Sequence, residues 1–221
     1  MITLHHLNNS RSQRVLWLLE ELGLHYRVQH YQRDAKTMLA PPELVKVHPL
    51  GKSPVITDGE VTLAESGAIL EYLVDRYGKG RLKPPAGTPE ALRYSYWMHF
   101  AEGTAMPPLL MKLVFDTIEK KAPLLVRPIA AGIAHKAKAL IVNPNLKRQL
   151  AFMEAELGKS TWFAGEELTA ADIQMSFPLE ASAARAGLDA AYPRLSAFLQ
   201  RIHARPAYQK ALAQGGPFSL G

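Results

Sequence analysis

The sequence predicts an α/β domain built on a mixed four-stranded sheet, followed by an all-helical domain. Strand and helix patterns alternate over the first 80 residues in the order βαβαββα, which favours a mixed sheet with helices on its faces. Beyond a segment rich in glycine and proline, only helical patterns recur. Charge also divides the chain, because residues 1–80 carry nine basic and nine acidic side chains, whereas the later residues carry 17 and 11. We therefore expect domains at residues 1–80 and 90–221, joined by a linker at 81–89.

The elements of the first domain follow from hydrophobic periodicity. Apolar and polar residues alternate in the first two strands, and two apolar runs flank Asp58-Gly59, a dipeptide typical of tight hairpin turns. These patterns predict strands at residues 2–6, 26–31, 55–57 and 61–63. Other segments have apolar residues at helical spacing, and Gly23 is a natural stop for the first of them. The expected helices cover residues 11–24, 42–47 and 66–77.

Helical periodicity continues beyond the linker and predicts six further segments. They cover residues 90–119, 124–142, 146–157, 170–186, 193–204 and 206–213. We expect Pro107-Pro108 and Asn143-Pro144 to kink or break their helices, because proline lacks an amide donor and clashes with the preceding turn.

The composition is that of an ordinary globular protein, with 48% hydrophobic and 21% charged residues among 221. Cysteine is absent, which excludes disulfides, thiolate metal sites and a protein thiol as nucleophile. No run approaches the ~18 apolar residues of a membrane span, and the amino terminus lacks the apolar core of a signal peptide. We therefore expect a cytoplasmic protein without a membrane contact.

A basic stretch from Lys120 to Arg148 contains seven Lys and Arg residues and no acidic residue. Such a stretch can attract anionic ligands or nucleic acid. It carries no nucleic-acid-binding motif and no aromatic residue. We interpret it as a solvated helix face, with a partner-binding surface as the alternative, and we expect no nucleic-acid partner.

Polar residues that could bind an anion occupy three places where strands and helices meet in the first domain. Ser10 separates the first strand from the first helix, so its hydroxyl can cap that helix or donate to an anion at the helix N-terminus. Pro54 opens the third strand, where a cis bond from Ser53 would leave neighbouring backbone groups turned toward a ligand. Glu65-Ser66 joins the fourth strand to a helix, and Ser66 is a second candidate cap.

This combination resembles the glutathione transferase superfamily over essentially the whole chain. The resemblance is carried by Ser10 with the following Arg14-Val15-Leu16 helix, by Gly51-Lys52-Ser53-Pro54-Val55, by Glu65-Ser66 and by Leu168-Thr169-Ala170-Ala171-Asp172-Ile173. In the last segment Thr169 and Asp172 have the spacing of a structural capping box. The resemblance is to serine-type members of a bacterial or fungal-like branch. It implies a thioredoxin-like first domain that binds glutathione, a helical second domain that carries the electrophile site, and a cytosolic homodimer.

The resemblance also implies roles for five residues. Ser10 would be the catalytic residue, whose hydroxyl holds the glutathione thiolate. Glu65 and Ser66 would bind the γ-glutamyl end. The main chain of Val55 would pair with the cysteinyl unit, and Lys52 would reach the glycyl carboxylate. Pairing of an extended peptide beside a strand, with charges at both ends, is a coherent binding mode for a tripeptide.

The function implied by the resemblance is conjugation of the glutathione thiolate to hydrophobic electrophiles in detoxification, with glutathione as co-substrate and no metal. Reduction of organic peroxides is a variant of the same chemistry. Asn9 and Arg11 are candidate second donors beside Ser10. The absence of cysteine separates the chain from cysteine-type members, and His48 stands where the family commonly has asparagine. A non-catalytic glutathione-binding or protein-interaction module with this fold is the alternative function.

The resemblance places the electrophile site at the start of the helical domain. The candidate side chains are Trp97, His99, Phe100, Met106, Leu110 and the tail around Phe218. Large apolar residues at helical spacing are more often core residues than ligand contacts, so we expect the region rather than any one member to form the site. Methionine and aromatic side chains dominate the set, which favours a broad hydrophobic substrate class.

Overall fold

A four-stranded sheet is followed by a helical domain, as the sequence predicts, in a computed structural model that describes residues 1–220. The strands are β1 (Ile2–Leu7), β2 (Tyr26–Tyr31), β3 (Val55–Asp58) and β4 (Val61–Ala64). The helices that accompany the sheet are α1 (Ser12–Leu22), α2 (Glu43–Val47) and α3 (Ser66–Tyr77). The later helices are α4 (Pro89–Phe100), α5 (Met106–Lys121), α6 (Arg127–Ala137), α7 (Asn143–Glu156), α8 (Ala170–Arg185), α9 (Pro193–His203) and α10 (Pro206–Gly215). Gly221, the last residue of the expected helical domain, lies outside the described residues.

The sheet is mixed and has the strand order β2-β1-β3-β4. β1 runs parallel to β2, whereas β3 is antiparallel to both β1 and β4. The hairpin between β3 and β4 turns at Gly59, whose φ of 61° lies in the left-handed region that glycine adopts without strain. Val55 lies opposite His5 of β1 and Ala64 of β4. The ends of β1 and β4 and the beginning of β3 therefore meet at one end of the sheet.

Helix α1 lies between the sheet and the helical domain. Its apolar side chains from Val15 to Leu19 are fully buried, and the helix packs against β1, α3, α8 and α10. The Trp17 ring meets the Tyr208 ring of α10 edge to face, with 5.4 Å between the centroids. Burial of one large apolar side chain contributes about 1.5–3 kcal/mol to the free energy of folding, so the buried side chains of α1 together stabilise its position strongly. The N-terminus of α1 is consequently well fixed relative to the end of the sheet.

Pro107-Pro108 and Asn143-Pro144 do not break the helical path, so the expectation of a break is wrong at both places. Five-residue π-helical turns, Ala101–Ala105 and Lys138–Val142, carry the chain without interruption from α4 into α5 and from α6 into α7. Pro108 has no amide hydrogen for the carbonyl of Thr104, and Gln149 Nε2 donates to that carbonyl instead over 2.9 Å. A side chain of α7 thus replaces the missing backbone hydrogen bond, which explains why the helix continues.

The capping box at the start of α8 is confirmed. Asp172 is fully buried and accepts hydrogen bonds at Oδ2 from Thr169 N over 2.8 Å and from Thr169 Oγ1 over 2.9 Å. Its Oδ1 accepts from Phe163 N over 2.8 Å. Each oxygen of the buried carboxylate is therefore satisfied, and the motif is structural.

The basic stretch forms much of α6 and the first turns of α7. Lys138 is paired with Asp116 and Glu119 of α5, at N–O distances of 2.6 and 2.8 Å, while Lys136 and Arg148 are exposed. This arrangement agrees with a solvated helix face. No helix within residues 1–220 is long and apolar enough to cross a membrane.

Candidate functional site

The three places singled out in the sequence lie at the same end of the sheet. Ser53 Oγ donates to the carbonyl of His5 over 2.8 Å and accepts from Leu7 N over 3.2 Å, which attaches the loop before β3 to the end of β1. Arg14 Nη2 donates to Ser66 Oγ over 2.8 Å, which attaches the start of α3 to the first turns of α1. The structure thereby brings Ser10, Ser53-Pro54 and Ser66 into one region.

Ser10 is buried, with 4% of its surface exposed, and it stands just before α1. Arg11 directly precedes α1 but its side chain makes no capping hydrogen bond. The Ser10 hydroxyl caps the helix, as expected, because it accepts from the amide of Ser12, the first residue of α1, over 3.2 Å. Its oxygen thus satisfies a helix amide, and its proton can be donated either to Ser12 Oγ or to a ligand.

A second serine and a histidine stand behind Ser10. Ser12 Oγ lies 2.7 Å from Ser10 Oγ and 2.9 Å from His6 Nδ1, and both Ser12 and His6 are buried. The sequence interpretation missed this pair. A signal was present, because His6 follows Ile2 and Leu4 at the period of two that marks one face of a strand, and a histidine on a buried face needs a polar partner.

Ser66 is as buried as Ser10 but is the first residue of α3, so its assignment as the cap is wrong by one residue. Its oxygen accepts from Arg14, which is 1% exposed. Arg14 also donates to Glu102 Oε1, in the π-helical turn before α5. Because the Ser66 oxygen acts as an acceptor for Arg14, its own proton can be donated to a ligand.

Glu102 connects the two domains through arginine residues. It accepts from Arg14 and, at 2.9 and 3.1 Å, from Arg11 Nε. Burial alone would raise the pKa of Glu102, but Arg14 and Arg11 hold this pKa below its usual range. Burial lowers the pKa of Arg14 to about 10 although Glu102 favours its charged form, so the pair is ionised at neutral pH. The sequence did not reveal this pair, because 88 positions separate the two residues.

Glu65 has an unusual backbone conformation. Its φ of 70° and ψ of 114° lie outside the regions that residues with a side chain normally adopt. Such strain costs about 1–3 kcal/mol and is concentrated at ligand-binding sites. The side chain of Glu65 is exposed beside the buried Ser66. Both residues are therefore positioned to meet a polar ligand at the start of α3.

The remaining candidates lie around the start of β3. The Ser53-Pro54 peptide bond is cis, as expected. Val55 opens β3 with a fully buried side chain, so only its main chain can contact a ligand. Lys52 is exposed and forms no ion pair within residues 1–220.

The candidates for the electrophile site divide into two groups. Trp97 and Phe100 belong to the main core, with 1% and 7% exposure, and so are structural. Met106 lies instead in a second, smaller apolar cluster with Phe177, against which Phe218 packs. On the same helix Leu110 is exposed, while His99 of α4 is exposed as well.

The smaller apolar cluster lies next to the Ser10 loop. The Arg11 guanidinium lies over the Phe177 ring, 5.1 Å from its centroid. Ser219 N donates to Asn9 Oδ1 over 2.9 Å, which holds the tail around Phe218 against the loop. An apolar ligand resting on this cluster would therefore be close to Ser10.

A cavity of about 750 Å³ lies elsewhere. It is lined mainly by residues 80–85 and 164–169, together with Glu21, Glu90 and Arg205. Ser10, Ser66 and Met106 do not line it. Within residues 1–220 no three His, Asp or Glu side chains are grouped so that they could hold a metal ion.

Comparison with known proteins identifies the family. The family model of the glutathione S-transferase N-terminal domain matches residues 1–75, and that of the C-terminal domain matches residues 107–206. Together the two models cover more than half of the chain. The chain belongs to the glutathione S-transferase family. The first domain accordingly has the thioredoxin-like fold and the second the helical fold of this family.

Relatives of similar length support the assignment to the glutathione S-transferases. Glutathione S-transferase 3 of Schizosaccharomyces pombe is 37% identical over 94% of this chain and 85% of its own length. Glutathione S-transferase 1 of Saccharomyces cerevisiae is 32% identical over 99% of this chain and 98% of its own. The chain is thus an enzyme of the glutathione S-transferase family.

Solved structures agree with these relatives. A glutathione S-transferase from Actinobacillus pleuropneumoniae has a TM-score of 0.80 and 34% identity, and the match covers all of this chain and 95% of that one. A sphingomonad glutathione S-transferase, solved in complex with glutathione, has a TM-score of 0.73 and 26% identity, covering 97% of this chain and all of that one.

Proposed function

We propose that this transferase activates glutathione at Ser10 and transfers the thiolate to hydrophobic electrophiles. The observation that carries the proposal is the geometry of the Ser10 hydroxyl. Its oxygen accepts a hydrogen bond from the amide of Ser12 at the start of α1, and its proton can be donated to a bound thiolate. The glutathione thiol loses its proton to solvent water, and Ser10 donates a hydrogen bond to the resulting thiolate. The thiolate then forms a carbon–sulfur bond with the electrophile, whose leaving group or π-electron pair takes the negative charge.

The hydrogen bond from Ser10 is strong enough for this role. A free thiol has a pKa of about 8.5, and lowering it by two units requires ~2.7 kcal/mol of preference for the thiolate. A hydrogen bond to a charged acceptor contributes ~1.5–3 kcal/mol, and the N-terminus of a helix adds ~0.3–1 kcal/mol. The hydroxyl together with α1 therefore accounts for ionisation near neutral pH.

The other candidates are proposed to hold the tripeptide. Ser66 would donate its free proton to the carboxylate of the γ-glutamyl unit, and the exposed Glu65 would pair with the ammonium group. The main chain of Val55 would pair with the cysteinyl unit, and Lys52 would approach the glycyl carboxylate. Opposite charges at the two ends of the site would fix the direction in which glutathione binds.

The electrophile is proposed to bind on the smaller apolar cluster, between the Ser10 loop and α5. Met106, Leu110, Phe177 and Phe218 would form the contact surface, which is supported by the contacts of Phe177 with Arg11 and of the tail with Asn9. An unbranched methionine and aromatic rings adapt to ligands of different shape, so we propose broad selectivity. Reduction of organic peroxides would use the same thiolate and remains a prediction.

The transferase is proposed to act in detoxification as a cytoplasmic homodimer, with domains at residues 1–80 and 90–221 and a linker at 81–89. The end of α3 at Tyr77 and the start of α4 at Pro89 support these boundaries.

Dimerisation is supported by an exposed apolar patch on α4 and α7. Leu92, Tyr96 and Phe152 form it, with exposures of 75%, 49% and 38%. Partially exposed apolar patches of this kind mark protein contacts.

The test is an ultraviolet titration of the thiolate band of bound glutathione in wild type and in Ser10→Ala. We expect the bound thiol to ionise well below its free pKa in wild type and to revert in the variant. Turnover should fall more than tenfold in Ser10→Ala, with glutathione affinity changed only a few-fold. Ser182→Ala is the matched control, because this buried hydroxyl donates only to the carbonyl of Pro178 in its own helix. Ordinary ionisation in both wild type and Ser10→Ala would instead support a non-catalytic glutathione-binding module.

A further inference from the structure

Behind Ser10 lies a hydrogen-bonded chain that ends at a buried histidine. Ser10 Oγ and Ser12 Oγ are 2.7 Å apart, and Ser12 Oγ is 2.9 Å from His6 Nδ1. His6 is 3% exposed and Ser12 is fully buried, so water cannot readily replace either partner. We propose that His6 and Ser12 are positioning residues, which direct the Ser10 proton toward the bound thiolate. This inference rests on the proposed role of Ser10.

The direction of the chain follows from counting protons. Two oxygens separated by 2.7 Å share a proton. Ser12 Oγ also lies within 3.3 Å of the carbonyl of Leu7, a longer contact that competes for its proton. When Ser10 gives its own proton to the thiolate, the proton between the two serines must come from Ser12, which then donates to Ser10 at 2.7 Å instead of to Leu7. The contact between Ser12 Oγ and His6 Nδ1 then also needs a proton, and only the imidazole can supply it. With thiolate bound, His6 therefore donates from Nδ1 to Ser12, Ser12 donates to Ser10, and Ser10 donates to sulfur.

The surroundings of His6 support a neutral ring with one proton. Burial, with a smaller contribution from the nearby His30, lowers the pKa of His6 to about 4, although a hydrogen bond with the backbone of Gly215 opposes the shift. The His30 ring of β2 meets it edge to face, with 5.5 Å between the centroids. Gly215 of α10 packs so closely on His6 that a methyl group there would lie 3.1 Å from its Cε1. His6 is thus held between three elements, in an orientation that keeps Nδ1 on Ser12.

The consequence is a stronger donor at Ser10. A hydroxyl whose oxygen accepts hydrogen bonds becomes more polarised and donates more strongly through its own proton. Ser10 Oγ would accept from both the amide and the hydroxyl of Ser12. Without the Ser12 hydroxyl, only the amide of Ser12 would donate to Ser10 Oγ. With the chain reversed, the Ser10 proton would point into the protein and would not reach the sulfur.

The experiment measures the pH at which bound glutathione ionises in Ser12→Ala, His6→Leu and His6→Asn. We expect Ser12→Ala to raise the apparent pKa of the bound thiol by about one unit, with glutathione affinity at low pH unchanged. His6→Leu should give a similar shift, while His6→Asn should restore a lower pKa, because its amide can donate from nearly the same position as Nδ1. Ser182→Ala is again the control and should leave the pKa unchanged.

The outcomes separate this inference from the proposed function. If the pKa of the bound thiol rises in Ser10→Ala but is unchanged in Ser12→Ala, the positioning role of Ser12 and His6 is contradicted and the catalytic role of Ser10 is retained. Unchanged ionisation in Ser10→Ala would overturn the role of Ser10 and the chain with it. If His6→Leu fails to fold, nitrogen NMR of His6 in the wild-type glutathione complex decides. A proton on Nδ1 supports the chain, and an unprotonated Nδ1 contradicts it.

Discussion

Ser10 and Ser66 are equally buried, with 4% of each residue exposed, and both lie where a strand gives way to a helix at the same end of the sheet. Their partners differ. Ser10 contacts Ser12, whose hydroxyl meets the neutral His6, whereas Ser66 accepts from Arg14, which is ion-paired with Glu102. The hydrogen-bonded residues behind Ser10 are uncharged, whereas those behind Ser66 include the charged Arg14 and Glu102.

This difference bears on how the two halves of the proposed glutathione site would work. A thiolate forms during the reaction, so a polarised neutral donor stabilises it without binding the thiol form more tightly than necessary. The γ-glutamyl end keeps its charges throughout, so a rigid charged support can hold its donor in place. Changes behind Ser10 should therefore alter ionisation of the thiol, whereas changes behind Ser66 should alter affinity and stability.

The largest expected effect comes from Arg14→Met. Removing a buried arginine leaves part of Glu102 without its partner, and breaking a buried pair costs about 3–5 kcal/mol of unfolding free energy. Arg11→Met is the matched control, because Arg11 also binds Glu102 and also lies over Phe177 but is 36% exposed at its side chain. That variant should lose less than about 1 kcal/mol. Urea denaturation measures the unfolding free energy of both variants. Equal losses of this free energy would show that the difference in burial between Arg14 and Arg11 has no effect on stability.

Ser66→Ala should weaken glutathione binding about tenfold, since a hydrogen bond to a charged group is lost. Turnover at saturating glutathione should change little, which is the reverse of the pattern expected for Ser10→Ala. Calorimetric titration gives the affinity and steady-state kinetics the turnover. An unchanged dissociation constant would remove Ser66 from the binding site and with it the contrast between the two serines.

A smaller loss of unfolding free energy, about 1 kcal/mol at pH 7, is expected for Glu102→Gln, because the glutamine oxygen can still accept from Arg14 and Arg11 and the Glu102 side chain is 34% exposed, so that only the charge is lost. The pKa of Glu102 is lowered in the folded state from an ordinary value of 4.5, so its ionised form stabilises the fold above that pH. This advantage is lost as the pH falls through the lowered pKa, where wild type also becomes neutral. Denaturation curves from pH 7 to pH 3 should therefore converge for the two proteins, and a constant gap would rule out a charge effect.

The smallest expected effect is that of Lys52→Met. An exposed cation contributes little in water, so glutathione affinity should fall only about two- to threefold and this loss should vanish at high salt. Lys210→Met on α10, another exposed lysine, should leave the affinity unchanged at any ionic strength. A loss that persists in high salt would indicate a closer contact than the exposure of Lys52 suggests.

The parts of this structure that depend on neighbouring residues could be predicted from the sequence. Helix α3 has the expected bounds, and β2 covers the expected residues, because both are specified by local periodicity. The order of the strands also brought Ser10, Pro54 and Ser66 to one end of the sheet. Of the two expected caps, Ser10 makes its capping hydrogen bond, whereas Ser66 lies one residue after the cap position of α3.

The parts that depend on distant residues could not be predicted. Glu102 is paired with Arg14, which lies 88 residues away in the sequence. Gln149 donates to the carbonyl of Thr104, which lies 45 residues away. No periodic pattern specifies either contact, because each depends on how the two domains and the paired helices pack. The proline pair near Thr104 was therefore expected to break its helix, although a side chain from α7 supplies the missing donor.

The π-helical turn between α4 and α5 also changes which way the helix faces. One extra residue in a helix rotates everything that follows by about 100°. Trp97 and Phe100, before the turn, point into the main core, whereas Met106 and Leu109, after it, join the smaller cluster beside the Ser10 loop. A single insertion thus changes which way one long helix faces, so that its first half packs in the main core and its second half borders the proposed electrophile site.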